Sequence, residues 1–443
     1  MIGCIALIGA DRVDLLAGHG FFRLTPFLLF APLVLLIRLL LMGAGRGFKV
    51  GITPPLRRQV PYVALFALFL LISFASTLFG LNPERGIVSL CDLVLVSSLG
   101  YCISVRILSD PEPEKLIVRS VTVALVIWLV FCIASSIAWN QGFFRFQDEP
   151  ASSIGSFFAP TATIFGLLPR LSGVSLDSNR AGFILVMYRV LIDRFAANTR
   201  YARFLRFTIG LFIVLTVSRS AILCYLTYLL FSTNVWMRLK TWRVALRVAT
   251  IVLVCSFIGF VFRDEISGLL DLWQVSDVVS DRISGEQGTS GGEHIELIKR
   301  GLEIWSSSPR TMIGGIGFAG SPRFLSDIFG ESKYGNFHSL YVSILAELGL
   351  PAFLLFMILL GYPMFGRKGA AACIAAIAVF NIALQSYMEP FFWMALALAW
   401  SLECKHRRAL PLALLQPSLG APLSTGERTP AGILPPHTLP ETH

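Results

Sequence analysis

The stretch VPYVALFALFLLISFASTLFG, residues 60–80, contains no charged residue, and it decides the fold class. An α-helix rises about 1.5 Å per residue, so a helix of this length spans the hydrocarbon core of a bilayer, which is about 30 Å thick. The sequence predicts an all-α polytopic membrane protein with about 11–12 transmembrane helices, the twelfth being residues 1–10 if they also insert. The apolar runs lie at about residues 22–43, 60–80, 87–105, 117–139, 181–197, 204–217, 220–233, 244–262, 339–366, 370–386 and 390–403.

The composition supports a membrane protein. Hydrophobic residues make up 55% of the 443 residues and charged residues only 14%, whereas charged residues are about a quarter of an ordinary soluble domain. The formal net charge of +10 comes from short basic clusters between apolar runs, which is typical of cytoplasmic loops, so nucleic acid is not an expected partner. The eight cysteines lie in or beside apolar runs without a CxxC pair, which argues against a disulfide framework or a zinc site.

Short basic connections predict the orientation of these helices. Cytoplasmic loops carry an excess of Lys and Arg, and one alternating path places all of the basic connections on the same side. We therefore expect a polytopic membrane domain over residues 1–408 with these connections in the cytoplasm. They are GRGFKVGITPPLRR (45–58), DRFAANTRYARFLR (193–206), MRLKTWR (237–243), GRKG (366–369) and KHRR (405–408).

The same alternation places the remaining polar segments on the outer face. The largest, residues 263–338, is rich in glycine and serine, and a structureless loop of this length is improbable in a compact protein. We expect this loop to contain helices. Residues 409–443 hold seven prolines and are predicted to be a disordered cytoplasmic tail. The outer-face segments are residues 140–180, 217–221, 263–338 and 386–390.

Within the large loop, the stretch EHIELIKRGLEIW (293–305) carries apolar residues at helical spacing. They predict an amphipathic helix. The following GGIGFAG (314–320) is expected to be a flexible turn. The apolar positions of the predicted helix are Ile295, Ile298, Leu302 and Trp305.

Arg219, in LTVSRSAIL (215–223), stands between two apolar runs of about 14 residues, each too short to cross a bilayer upright. The simplest arrangement is two helices that meet at a tight outer turn sunk below the lipid headgroups. An arginine at membrane depth costs about 2.5–3.5 kcal/mol and usually has a functional partner. Arg219 is therefore expected to face a water-filled cavity, the alternative being that it extends to lipid phosphate.

The stretch PRLSGVSLDSNRAGFIL (169–185) places polar residues directly before a crossing. Asp177 or Ser178 suits the N-cap of the helix that follows. Arg170 has no capping role and is a candidate anion ligand, and Asn179 is a candidate substrate ligand beside it. In the large loop Arg282, His294, Lys299 and Arg300 are further cationic or titratable candidates.

His338 begins the stretch HSLYVSILAELGLP, where the polar loop gives way to an apolar helix. Histidine titrates near neutral pH and is the commonest general base, although a histidine at a helix start is often only an interfacial polar residue. On this topology His338 shares the outer face with Arg219 and Arg170, and arginines suit a doubly anionic leaving group. The outer face has no acidic pair typical of a divalent metal site, so a metal-free displacement of a diphosphate by a hydroxyl fits these residue types.

The chain resembles the O-antigen ligase family, bacterial membrane proteins that include lipopolysaccharide ligases and the related Wzy-type polysaccharide polymerases. The ligase signature is a histidine followed by Asn, Ser or Gln, nine residues and a glycine, and here His338 and Ser339 are followed by nine residues and Gly349. The resemblance extends from about residue 160 to 365. Its other parts are RLSGVSLDSN (170–179), TVSRSA (216–221) and IWSSSPRTMIGGIG (304–317).

Two positions depart from the family pattern. Ala352 stands where the signature usually has Gly, Thr or Tyr. Many members carry an arginine before the IW…P…GIG segment, and the match by spacing here is His294, with Arg282 and Arg300 on either side. Each of these three residues is a candidate to complete the cationic site.

The resemblance implies a metal-independent inverting glycosyltransferase with a GT-C-like helical fold and no cofactor. Its donor would be a glycan on undecaprenyl diphosphate. This donor would enter the site from the membrane lipid, at the periplasmic face of the bacterial inner membrane. Arg219 and Arg170 would neutralise the diphosphate, and His338 would activate the acceptor hydroxyl.

Three functions are compatible with these residues. The His-Ser-x9-Gly spacing favours a ligase, whose acceptor is lipid A–core. A Wzy-type polymerase, whose acceptor is another lipid-linked glycan, shares the motifs, and Ala352 keeps it a close alternative. A transporter or flippase of lipid-linked solutes more often has charged or glycine-broken segments near mid-membrane, whereas this chain concentrates its polar residues at the outer face.

Overall fold

The structure is a computed structural model that describes residues 1–12, 24–45, 60–145, 153–164, 168–232, 290–329, 335–365, 368–382 and 384–406. The described chain is helical apart from one antiparallel pair of two-residue strands, β1 (Thr163–Ile164) and β2 (Leu168–Pro169). The helices are α1 (Ile2–Ala6), α2 (Pro26–Gly45), α3 (Val60–Leu78), α4 (Pro83–Ser109), α5 (Pro113–Asn140), α6 (Ile154–Phe158), α7 (Ser178–Phe195), α8 (Ala202–Leu215), α9 (Arg219–Ser232), α10 (Ser290–Ser306), α11 (Pro309–Gly314), α12 (Ser321–Phe329), α13 (Leu340–Gly361), α14 (Lys368–Phe380) and α15 (Pro390–His406).

Four described helices are long and apolar enough to cross a membrane: α3, α4, α5 and α13, the last continued by a 3₁₀ turn at Tyr362–Phe365. Apolar stretches of 10–17 residues lie in α2, α9, α14 and α15. These helices confirm the predicted all-α polytopic membrane protein. The predicted crossing at 244–262, residues 263–289 of the large loop and the tail 409–443 lie outside the described residues.

The predicted outer-face segments meet at one end of the helix bundle. Arg12 connects the amino-terminal segment to the segment after α5, since its guanidinium donates hydrogen bonds to the carbonyl oxygens of Phe158 and Ala159, both at 2.7 Å, and of Gly173 at 2.9 Å. Burial, together with the nearby Arg145, lowers the pKa of Arg12 to about 10, so it remains protonated at neutral pH. One buried cation thereby satisfies three backbone carbonyls from two segments of the chain.

Two of the predicted cytoplasmic connections, 193–206 and 366–369, lie close together. Asp193, near the end of α7, accepts hydrogen bonds from Arg189 at 2.7 Å, from Arg206 and from Tyr228 at 3.1 Å. Gly369, near the start of α14, lies against Arg194. These two connections therefore lie together, and the alternation of the remaining connections, like the side of the membrane that each faces, stays a prediction.

The predicted amphipathic helix forms as α10, but with a different buried face. Leu297 and Gly301 are buried, whereas Leu302, expected on the apolar face, is 42% exposed. A Cβ added at Gly301 would lie 2.4 Å from a methyl carbon of Val342. The close approach of α10 to α13 at this glycine rotates the helix away from the face that its large apolar residues predict.

The GGIGFAG segment is not a flexible turn. The backbone N–H groups of Ile316 and Gly317 donate to the carbonyl oxygens of Ala346 and Glu347 in α13, at 3.0 and 2.9 Å. The Leu81 N–H donates to the Ile316 carbonyl oxygen at 2.8 Å. The segment therefore joins the end of α3 to the middle of α13.

Gly349 makes this junction possible. It interrupts α13 with φ 80° and ψ 179°, a left-handed conformation that only glycine adopts without strain. This interruption and Pro351, which has no N–H to donate to the Glu347 carbonyl, leave the carbonyl groups of Ala346 and Glu347 without helical partners, and these are the carbonyls that Ile316 and Gly317 bind. A Cβ at Gly349 would also lie 2.1 Å from the Ile313 carbonyl oxygen. The glycine of the signature is thus required by backbone geometry and by the space available.

We predict that Gly349→Ala lowers the thermal unfolding temperature of the purified protein by several degrees. The substitution combines a positive φ, which costs about 1–3 kcal/mol in a residue with a side chain, with a severe overlap. Gly361→Ala in the same helix is the matched control, because no atom lies within 4 Å of its added Cβ. Equal unfolding temperatures for the two variants would contradict this account.

Candidate active site

A polar cavity of about 510 Å³ opens at the end of the bundle where the outer-face segments meet. Its wall combines the amino-terminal segment, one face of α4, the start of α7, the segment before α13 and the loop between α14 and α15. Several of these residues are more than 150 positions apart in the chain. The charged and polar residues that line it are Asp11, Thr25, Arg85, Ser89, Asp92, Asp177, Arg180, Asn336, His338, Gln385 and Glu389.

His338 lies at the edge of this cavity in a left-handed backbone conformation, with φ 54°. The Asn336 Oδ1 accepts a hydrogen bond from the His338 N–H at 2.7 Å. The next helix begins two residues later, and the Leu340 N–H donates to the carbonyl oxygens of Asn381 and Leu384 at 3.1 and 3.0 Å. Positive φ is uncommon outside glycine and is concentrated at functional sites. The backbone on both sides of His338 is therefore fixed by specific bonds.

Arg180 also lines the cavity and is held in an ion-pair network. Its guanidinium lies 3.0 Å from Asp11 and 3.1 Å from Glu389. Asp177 caps the same helix, accepting a hydrogen bond from the Asn179 N–H at 2.9 Å, as the sequence predicted for Asp177 or Ser178. The positive charge of Arg180 is matched by two carboxylates, so its first role is to fix the start of α7 against the loop before α15.

Arg170 binds the turn that precedes Arg219. Its guanidinium donates to the carbonyl oxygens of Thr216 and Val217 at 3.2 and 3.1 Å and to the Asn179 Oδ1 at 3.3 Å. The Ser218 hydroxyl donates to the same Asn179 oxygen at 2.7 Å. Arg170 and Asn179 thus stabilise the turn between α8 and α9.

Arg219 is the first residue of α9, and its side chain is exposed. Helix α8 has 14 residues, which corresponds to about 21 Å. This length is shorter than the hydrocarbon core of about 30 Å. Val217 gives the turn between α8 and α9 a positive φ of 49°. The short helix α8 and the tight turn after it agree with the prediction from sequence, and α9 is described as far as Ser232.

The predicted site residues form two groups. The first group is Arg170, Asn179 and the turn that carries Arg219. The second is His338, which lines the cavity, whereas Arg219 does not. The start of α7 joins them, because Asn179 contacts the Arg219 turn while Asp177 and Arg180 line the cavity.

The candidates in the large loop are placed less fully. Arg300 pairs on its own helix with Glu296 at 2.8 Å and Glu303 at 3.0 Å. His294 lies in α10, but its side chain is outside the described residues, as is all of Arg282. A substrate-binding role for each of them stays a prediction.

Sequence reasoning missed most of the cavity wall. Arg85, Asn336 and Gln385 lie in short connections or at helix ends, where nothing in the local pattern separates them from ordinary polar residues. Asp92 did carry a signal, because an acid inside an apolar run is by default a functional candidate. Among the residues that the structure describes, no three His, Cys, Asp or Glu side chains are grouped so that they could hold a metal ion.

No curated protein matches the chain. Residues 204–357 match the family model Wzy_C, described as O-antigen ligase. The matched part contains most of α8, all of α9 to α12 and most of α13, and therefore Arg219, Arg300, His338 and Gly349. This match confirms, over these residues, the resemblance to the O-antigen ligase family that was inferred from the sequence.

Proposed function

We propose that the protein is a membrane glycosyltransferase that moves a glycan from undecaprenyl diphosphate to an acceptor hydroxyl, as an O-antigen ligase attaching O-antigen to lipid A–core. The family match supports a ligase-type or polymerase-type function in general. The observation that carries the proposal is His338, held by Asn336 in a left-handed backbone at the edge of a polar cavity next to a membrane-spanning helix. The proposed location is the periplasmic face of the inner membrane, in a GT-C-like fold.

In the proposed reaction the acceptor hydroxyl oxygen attacks the anomeric carbon of the donor sugar. The bond from that carbon to the diphosphate oxygen breaks, and undecaprenyl diphosphate leaves with the electron pair. The hydroxyl proton passes to the His338 imidazole, since a positioned histidine is an effective general base near neutral pH. A single displacement of this kind inverts the anomeric centre.

The cationic residues have different roles in binding the diphosphate leaving group. Arg219 is exposed at the amino terminus of α9, where the helix dipole adds to its attraction for a diphosphate. Arg170 already donates to two backbone carbonyl oxygens and to Asn179. We therefore assign the diphosphate contact to Arg219 and the positioning of its turn to Arg170 and Asn179.

Purified protein, supplied with undecaprenyl-diphosphate glycan and lipid A–core in the presence of EDTA, tests the proposal. The expected product is glycan linked to lipid A–core, seen as a mobility shift of the acceptor. Elongated lipid-linked glycan formed without lipid A–core would identify a polymerase instead. Transfer to neither acceptor, by protein that remains folded, would overturn the proposal.

We predict that His338→Ala and Arg219→Ala each lower the transfer rate by about 10²-fold or more, which is typical for loss of a general base or of transition-state charge stabilisation. Single-turnover measurement with bound donor isolates the chemical step. Arg203→Ala is the control for loss of an exposed arginine, since Arg203 lies on α8 near the opposite end of that helix. Full activity in His338→Ala would remove the histidine from the mechanism.

We predict a second effect at the residue that positions His338. Asn336→Ala removes the oxygen that accepts the His338 N–H bond, so the imidazole moves from its productive position and kcat falls by about 10–100-fold. Asn336→Asp keeps the acceptor oxygen and should retain most of the rate. Equal losses in the two variants would show that the 2.7 Å bond to the His338 backbone is not what matters at this position.

A further inference from the structure

Asp92 is a cavity residue that the proposed reaction does not use. It lies in α4, the helix that begins at Pro83, and shares one helical face with Arg85, Ser89 and Val96, all of which line the cavity. Seven residues separate it from Arg85, which places it about 10 Å further along the helix, toward the middle of the bilayer. The cavity thus reaches into the membrane-spanning part of α4, with Asp92 on its wall.

The Asp92 carboxylate has no evident structural purpose. Its Oδ1 is buried and accepts no hydrogen bond from any residue in the described part of the chain. A buried acceptor without a partner costs about 1–3 kcal/mol, and a carboxylate inside a membrane-spanning helix costs about 2.5–3.5 kcal/mol on insertion scales. A neutral residue would avoid both costs, which favours a role for Asp92 in binding a ligand that enters the cavity.

The charges around Asp92 indicate what that ligand is. A carboxylate accepts hydrogen bonds and donates none, so its partner must carry donors. Asp11, Asp177 and Glu389 also line the cavity, and the ion pairs of Arg180 use its positive charge within the wall. The other lining arginine, Arg85, lies about 10 Å from Asp92 along α4. An anionic group is therefore disfavoured beside Asp92. Ser89, Asn336 and Gln385 supply hydroxyl and amide groups on the same wall, which suits a neutral polyhydroxylated ligand.

We propose that Asp92 accepts a hydrogen bond from a sugar hydroxyl of the glycan that binds beside His338, and that it fixes this sugar for transfer. The inference rests on the proposed glycosyltransferase function and assigns this cavity to the sugar. The diphosphate is bound separately by Arg219, which does not line the cavity.

A stability measurement distinguishes this role from a structural one. Asp92→Asn should leave the thermal unfolding temperature unchanged or raise it, because a buried unpaired charge is removed. Asp193→Asn is the matched control, because the Asp193 carboxylate accepts bonds from Arg189, Arg206 and Tyr228 and its loss should lower the unfolding temperature by several degrees. A decrease in Asp92→Asn equal to that in the control would overturn the inference.

A binding measurement tests the ligand. Core oligosaccharide and O-antigen oligosaccharide, both freed of lipid, are titrated into the full-length protein by calorimetry. At least one should bind the wild type, and Asp92→Asn and Asp92→Ala should weaken that binding at least tenfold, as expected for loss of a hydrogen bond to a charged group. Unchanged affinity in the variants, or no binding of either oligosaccharide to the wild type, overturns the inference.

The two proposals can fail separately. If Asp92 variants lose oligosaccharide binding but the wild type transfers no glycan to any acceptor, the sugar site stands and the proposed transferase function fails. If the wild type transfers glycan and the Asp92 variants do so with unchanged KM and kcat, the transferase stands and the role of Asp92 fails.

Discussion

The interruption of helix α13 at Gly349 is the constraint on which this end of the protein depends. Inside a bilayer, a backbone carbonyl that loses its helical partner must find another donor within the protein. Here the N–H groups of Ile316 and Gly317 supply it. Ser76 adds a hydroxyl contact, with its Oγ 2.9 Å from the Glu347 carbonyl oxygen. A membrane-spanning helix, the large polar loop and the end of α3 are thereby fixed to one another.

The first part of α13 connects His338 to the junction at Gly349. Because α13 starts two residues after the histidine and is fixed again at Glu347, its first two turns form a rigid connection between the cavity and the glycine-rich segment. The Glu347 carboxylate strengthens this connection by accepting hydrogen bonds from Ser321 at 2.5 Å and from the Ala319 N–H at 3.2 Å. The spacing between the histidine and the glycine therefore has a physical meaning: it sets the length of the segment that positions the proposed base.

The helices and part of the candidate site could be predicted from the sequence. The features that could not be predicted depend on contacts between distant parts of the chain. Uncharged runs predicted the helices, and the two short runs on either side of Arg219 predicted the tight turn, because hydrophobic length is a local property. The face that α10 buries was not predictable, since Gly301 sets it through a contact with Val342. The pairing of Arg180 with Asp11 and Glu389 joins residues from three distant parts of the chain. A local sequence pattern contains no information about contacts between such distant residues.

On the proposed function, two tasks that the sequence assigned to one cluster of residues are divided between two places. Arg219, at an exposed helix terminus, would bind the diphosphate. His338 lines a cavity in which the buried Asp92 Oδ1 would bind a sugar hydroxyl. A structure of the protein bound to acceptor oligosaccharide, determined by electron cryomicroscopy, tests this division most directly. The account predicts sugar density inside the cavity with one hydroxyl about 3 Å from the His338 imidazole and another at Asp92. Sugar bound against α10 near Arg300, with the cavity empty, would contradict it.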